Sequence, residues 1–409
     1  MLSIRHPTTA RAPQGDAGKG YHMAHTPFIP FAVPDIGEDE VKAAAEAIRS
    51  GWLTTGPRAA QFEREFAEFI GGDGLHAVAV NSATAGLHLA LEAAGVTAGD
   101  EVIVPTWTFT ATAEVVRYLG ATPVLVDVDK RTLCLDFDAA AKAVTPRTKA
   151  VMPVHLAGFP IDRHLINEFC DTHGVVAVED AAHILPGASD GVMVGAGRSL
   201  ATVFSFYATK TITTGEGGMV VTRDAEIARR AKTMRLHGIS KDVFDRYQST
   251  TPSWFYEVVA PGFKYNLPDP AAAIGLVQLS RAWELRDKRA HVANRYDAGL
   301  RGCPLALPPH SPDGDVHSWH LYMVRLGEEA PVGRDEFIEK MAELGVGCSV
   351  HFIPLHKHPV WRHLGGYEDE DFPVASEEFE KVVSLPAFSA MSNAQIDKVI
   401  DSVRQVLKC

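Results

Sequence analysis

Gly174-Val-Val-Ala-Val-Glu-Asp-Ala-Ala-His183 is the stretch on which the reading of this chain turns. Its first half is a short Val-rich run; its second half sets two carboxylates and an imidazole directly behind that run. A run this short, opened by glycine, fits a strand buried on both faces. The polar residues then stand at the strand's carboxyl end, where open α/β sheets bind their ligands. The same pattern recurs on either side, with short apolar runs at 76–80, 101–104, 123–126, 150–155 and 201–206. Helical periods separate them at 84–94, 111–119 and 162–173, after two amphipathic helices at 40–49 and 58–70. The second of these carries Phe62, Phe66 and Phe69 on one face. Strands alternating with helices predict an α/β fold with a central, mostly parallel sheet.

Beyond this region the pattern changes. A long polar helix is expected at 280–300, then a loop holding Pro304, Pro308, Pro309 and Pro312, where proline suits a turn. A strand at 319–326, a helix at 334–344, a strand at 347–351 and a terminal helix at 393–407 follow. The division expected is a mobile N-terminal tail at 1–26, a large α/β domain at 27–279 and a smaller C-terminal α+β domain at 280–409. The tail has no apolar segment of the secretory kind, and Met23 could equally serve as a start.

The 409 residues, 46% hydrophobic and 22% charged, have the composition of a globular chain with a sizeable core. A net charge of −12 argues against a nucleic-acid partner, which calls for a basic stripe. Five scattered cysteines, with no C-x-x-C pair, suit neither a disulfide framework nor a zinc site, so a reduced cytoplasm and no metal are expected. No apolar run is long enough to cross a bilayer, so no membrane partner is expected.

Several segments carry chemistry. Ser205-Phe-Tyr-Ala-Thr-Lys210 puts a lysine just past a buried strand, before a loop of hydroxyls and glycines ending at Gly218. A lysine whose charge is disfavoured by its surroundings is a nucleophile toward an aldehyde, although a lysine in an exposed turn has the same letters. Asp180 could hold a pyridine nitrogen protonated, with His183 beside the neighbouring phenolic oxygen, or Asp180 could simply cap a helix. Asn81-Ser-Ala-Thr84 opens a helix with small residues, which makes a phosphate cradle of free N–H groups or an ordinary cap. Phe109, in Pro105-Thr-Trp-Thr-Phe109, could stack on a flat ring or pack in the core. Asn266 could donate to a phosphate or order its own turn. A cradle, an aromatic, an Asp-x-x-His and a lysine at successive strand ends supply one partner for each part of pyridoxal phosphate (PLP).

Together these residues resemble the DegT/DnrJ/EryC1/StrS aminotransferases, from about Pro34 to the C-terminus. The similarity includes Ser50-Gly-Trp-Leu-Thr-Thr-Gly56, the E-D-A-A-H segment, S-F-x-x-x-K with G-E-G-G behind it, and K-Y-N-L. It implies a PLP-dependent transferase of aspartate-aminotransferase fold (type I), acting on a keto-sugar nucleotide with L-glutamate as donor and 2-oxoglutarate as product. By the same resemblance Lys210 would carry the cofactor as an imine, Asp180 would pair with the ring nitrogen and His183 with the phenolic oxygen. Phe109 would stack on the ring, while Ala83, Thr84 and Ser205 would hold the phosphate. Members are similar in being homodimers with shared sites, so Asn266 would serve the partner's phosphate; Thr55 and His351 would contact substrate. Thr145-Pro-Arg-Thr-Lys149, Pro261 to Leu267 and His317-Ser-Trp-His320 look most like members that aminate a UDP-linked 4-keto pentose. The family's sugar dehydratases place histidine where Lys210 stands, and a non-catalytic PLP-binding regulator would not need the full residue set. A nucleotide-dependent oxidoreductase would need a G-x-G-x-x-G after the first strand, and none is there.

Overall fold

The computed structural model describes residues 28–239 and 256–409; the expected tail at 1–26 lies outside the described residues. Its main feature is a seven-stranded sheet of β1 (His76–Val80), β2 (Glu101–Pro105), β3 (Thr122–Val126), β4 (Thr148–Val151), β5 (Val176–Asp180), β8 (Ala201–Ser205) and β9 (Gly218–Thr222). A small hairpin, β6 (Ala188–Ser189) and β7 (Val192–Met193), stands apart from it. The spatial order is β1-β9-β8-β5-β4-β2-β3, and every pairing from β3 across to β8 is parallel. Only β9 runs against its two neighbours.

Burial explains why these residues form strands. All five residues of β2, β8 and β9 are buried, as β-branched and small side chains are when a sheet is covered on both faces. The helices α1 (Glu38–Arg49), α2 (Pro57–Ile70), α3 (Ala83–Ala93) and α4 (Ala111–Tyr118) come early in the chain. Phe62 and Phe66 of α2 are fully buried against Phe206 and Phe204, while Phe69 is only half-buried, against Trp283. The carboxylate of Asp269 caps α2 by accepting the amides of Gly56, Arg58 and Ala59.

A second core surrounds an antiparallel sheet of β10 (Leu305–Ala306), β11 (Tyr322–Leu326) and β12 (Val382–Leu385). Helices Ala282–Gly299, Arg334–Glu343 and Asn393–Leu407 pack Tyr296, Phe337, Ile396 and Val403 into it. Ile29 joins the same core and bridges to Val346.

Three expectations are corrected. Residues 347–351 form no strand, only a bridge from Ser349 to Ser384, because this segment leaves the small sheet to cross the site. The strand expected from 319 begins at Tyr322, since Trp319 has φ 52°, outside the extended region. The cysteines are not all free: Cys303 and Cys409 form a disulfide. They lie 106 residues apart in sequence and meet because the terminal helix packs beside Ala282–Gly299, bringing their Cα atoms to 5.1 Å. Cys134, Cys170 and Cys348 remain thiols, and burial pushes them up to about 12, 11 and 12.

Candidate active site

Since β1, β5, β8 and β2 all point the same way, their carboxyl ends share one edge of the sheet. The residues that follow these strands line a cavity of about 490 Å³. The sequence-read residues Ala83, Thr84, Phe109, Asp180, His183, Ser205, Lys210 and His351 all line it.

Lys210 ends a turn closed by its own amide on the Tyr207 carbonyl at 2.9 Å. Its Nζ lies 3.5 Å from Nε2 of His320. Burial brings the ammonium down to about 8, against the pull of the Asp180 carboxylate and with a further push from the Arg289 guanidinium. Lys210 is half-buried and lines the cavity, so it does not stand in an exposed turn. Asp180 ends β5 with no helix behind it, so it caps nothing. Its Oδ2 accepts from Thr112 Oγ1 at 2.9 Å and its Oδ1 from the Ala182 amide at 3.1 Å. Burial raises its carboxyl above the ordinary range, opposed by both hydrogen bonds and by Lys210. Behind it, His155 Nδ1 accepts from the Ile161 amide, which leaves Nε2–H to donate to Glu179 at 2.8 Å. This pair anchors the strand end, since the His155 amide also binds the Asp180 carbonyl.

His183 Nδ1 accepts from the Ala157 amide at 3.3 Å, so the neutral ring presents Nε2–H. Burial holds its pKa well below 6.5, and its ring centroid is 4.4 Å from that of His320. Ser82 caps α3 through the Ala85 amide, as the cap reading expects, and the first-turn positions Ala83 and Thr84 face the cavity. The close approach here requires glycine. A Cβ on Gly218 would come within 2.8 Å of the Ala83 nitrogen and of the Phe204 carbonyl. Phe109 is 56% exposed and among the described aromatics meets only the rim ring of Phe352, so it is no core residue. Its neighbour Trp107 is the buried aromatic of that segment, with Nε1 donating to the His351 carbonyl at 3.0 Å.

His351 stacks on Phe31 with centroids 4.8 Å apart, and burial lowers its pKa to about 4. Thr55 and Asn266 do not line this cavity. They sit together below the end of β1, with Asn266 Nδ2 donating to Thr55 Oγ1 at 2.7 Å and Lys264 bonded to Asn266 Oδ1. Sequence reasoning missed Phe31, Tyr207, Glu216 and Phe352 as lining residues, and read His320 only as part of a motif. Phe31 had no local signal, since nothing near it in sequence marks a strand end.

The arrangement combines an amine of lowered pKa, a buried carboxylate, neutral imidazoles and a helix N-terminus around one cavity. The model of the DegT/DnrJ/EryC1/StrS aminotransferase family matches residues 34–404. The spore coat polysaccharide biosynthesis protein SpsC of Bacillus subtilis (strain 168) is 44% identical over 383 residues, 93% of this chain and 97% of that protein. The putative sugar aminotransferase Spr1654 of Streptococcus pneumoniae superposes in its PMP form with a TM-score of 0.87 at 33% identity, covering 93% of this chain and 99% of that one. Its PLP form gives 0.85 at 32% identity over the same shares. PseC of Helicobacter pylori, an aminotransferase involved in the biosynthesis of pseudoaminic acid, gives 0.84 at 29% identity, over 94% of this chain and all of that one (100%).

Proposed function

The chain belongs to the DegT/DnrJ/EryC1/StrS aminotransferase family, and from that premise we propose that it moves the amino group of L-glutamate onto a keto-sugar nucleotide. It is an aminotransferase of the sugar-modifying kind, of type I fold, and PLP is its cofactor. The cavity fits that group chemically. It offers a lysine amine, a buried carboxylate and a helix N-terminus for an anion within one enclosure of suitable volume. When bound, PLP supplies the electron sink for a carbanion formed beside its imine nitrogen.

The chain's own residues do the rest. Lys210, whose ammonium burial brings down to about 8, gives up its proton far more readily than an ordinary lysine; it would anchor the cofactor and, when freed, serve as the base and acid that carries a proton. Asp180 offers a negative charge to a protonated ring nitrogen, and His183 Nε2–H a hydrogen bond to an oxygen beside it. Ala83, Thr84, Ser205 and Phe109 line the cavity; the amides of Ala83 and Thr84 with the Ser205 hydroxyl would hold the phosphate, and Phe109 would cover the ring. Glutamate leaves as 2-oxoglutarate, and the sugar's carbonyl carbon leaves carrying the nitrogen. His351 and Thr55 contact the sugar nucleotide; a UDP-linked 4-keto sugar is the first substrate to try, from the resemblance at Thr145–Lys149, 261–267 and 317–320.

A homodimer with shared sites accounts for Thr55 and Asn266, which are paired with each other and lie outside their own chain's cavity. Exposed Leu53, Val258 and Val259 give such an interface apolar area to bury. No helix among the described residues is long and apolar enough to cross a membrane. We place the reaction in the cytoplasm, where glutamate and nucleotide sugars are at hand.

The observation that carries this reading is the half-buried Lys210 amine, its ammonium brought down to about 8, in one cavity with Asp180. The purified protein should show a visible band from lysine-bound cofactor that collapses when excess L-glutamate is added. No band after PLP is supplied would end the assignment. A band indifferent to glutamate would leave the amino donor to be found elsewhere.

A further inference from the structure

Arg289, in the helix Ala282–Gly299, is 3% exposed and forms no ion pair among the described residues. Its guanidinium donates only to backbone carbonyls: Nη1 to His320 at 3.2 Å and to Ala387 at 2.6 Å, Nη2 to Thr209 at 3.1 Å. Its Nε has no hydrogen-bond partner among the described residues. Thr209 immediately precedes Lys210, and His320 is the residue whose ring touches the lysine Nζ. One side chain therefore ties the backbones of both members of that contact, and through Ala387 also the segment behind β12.

Three carbonyls could be served by neutral donors. A buried guanidinium with no carboxylate partner is a costly way to do it, and burial has already brought it down to about 10. The charge calls for a separate account, and the neighbouring lysine gives one. We propose that Arg289 is a positioning residue for Lys210: it clamps the lysine loop and His320 into contact, and its unpaired charge disfavours a second cation on the lysine amine. The proposal rests on Lys210 being the reactive lysine.

The other groups facing Lys210 set the background. Asp180 and His183 approach from the end of β5, Tyr207 and Glu216 from the lysine loop and its return to β9, His320 from before β11 and His351 from the segment after Gly347. The three imidazoles are held neutral by burial, so Asp180 is the buried counter-charge and Arg289 the opposing cation. Asp35 acts on Arg289 in turn, raising it.

The test compares wild type with Arg289→Met and Arg289→Lys. Lys210 reactivity is measured in the apoprotein by reductive methylation across pH, with the Lys210 peptide followed by mass spectrometry. The wild-type midpoint is expected at about 8. Arg289→Met should move it up by about one pH unit, since a nearby like charge is removed. Arg289→Lys, which loses the fork, should lower kcat about tenfold at unchanged KM, through loss of orientation. An unmoved midpoint in a folded Met variant overturns the electrostatic part. Wild-type kcat in the Lys variant overturns the clamp, and decides the matter alone if the Met variant does not fold. Because the titration needs neither cofactor nor sugar, it stands apart from the assignment of PLP chemistry, which the visible spectrum of wild type decides.

Discussion

Thr112 in α4 donates its hydroxyl to Oδ2 of Asp180 at 2.9 Å, so the helix that follows β2 steadies the carboxylate that ends β5. Thr108 Oγ1 lies 2.8 Å from the same hydroxyl and extends the line of bonds to the loop that carries Phe109. Thr112→Val keeps the shape and removes the donor. A charge-assisted bond is worth about 1.5–3 kcal/mol, and its loss lets burial raise the Asp180 carboxyl further. The acid limb of the pH–kcat profile should move to higher pH and kcat at neutral pH should fall about tenfold. Steady-state rates from pH 5 to 9 check this; a superimposable profile would show that the bond does not matter to Asp180.

Asp180 illustrates a conflict between stability and function. Its folded pKa is raised, so the folded state holds its proton more tightly than the unfolded chain. Stability from this group is fully present below the unfolded carboxyl pKa and falls as pH rises through the folded one. At neutral pH this group is therefore a local burden on the apoprotein. Asp180→Asn should raise the apoprotein Tm by about 1–2 °C at pH 7 and abolish transamination. Scanning calorimetry of both apoproteins at pH 4 and pH 7 is the check, with the gap expected only at the higher pH.

Lys210 titrates in the opposite sense. Its folded value of about 8 lies below the roughly 10.4 of a free lysine. The folded state is penalised wherever the unfolded chain holds the proton more tightly, which is the range below about 10. The penalty is complete below pH 8 and shrinks between pH 8 and 10, amounting at most to about 3 kcal/mol. Lys210→Met should remove both the penalty and its pH dependence. Urea melts of the apoproteins at pH 7 and 9.5 should show the variant ahead at pH 7 and the two converging at pH 9.5, while the variant has no transaminase activity at either.

The parts of the site that could be read from the sequence are those in which one short segment holds both the strand and the residue it delivers. Asp180 and His183 follow β5, Lys210 follows β8 and Thr84 follows β1, so the alternation that locates a strand also places the side chain behind it. Phe31, Arg289 and His320 reach the cavity or its wall by long-range packing, and no local pattern marks them. The strand β9 went unread because its opening Gly218 looked like more of the glycine loop, whereas its small side is what lets it lie against Ala83. The Cys303–Cys409 pairing was hidden for the same reason as Arg289, since only the packed terminal helix brings the two ends together.

Thr55 and Asn266 decide whether sites are shared. If Asn266 serves the partner's phosphate, Lys210→Ala and Asn266→Ala damage different chains' contributions to one site. Mixing the two nearly inactive homodimers and letting subunits exchange would then create heterodimers with one intact and one doubly altered site. Random exchange makes half the dimers mixed, so activity should recover to about a quarter of the wild-type level. Asn266→Ala removes the Lys264 contact and the Thr55 bond from its own chain only, and a general loss of folding would not be repaired by mixing, so it cannot imitate the recovery. If Asn266 acts within its own chain, each mixed dimer holds two differently damaged sites and mixing restores nothing. That outcome would remove Asn266 from the shared site and leave its 2.7 Å bond to Thr55 as a purely internal tie below β1.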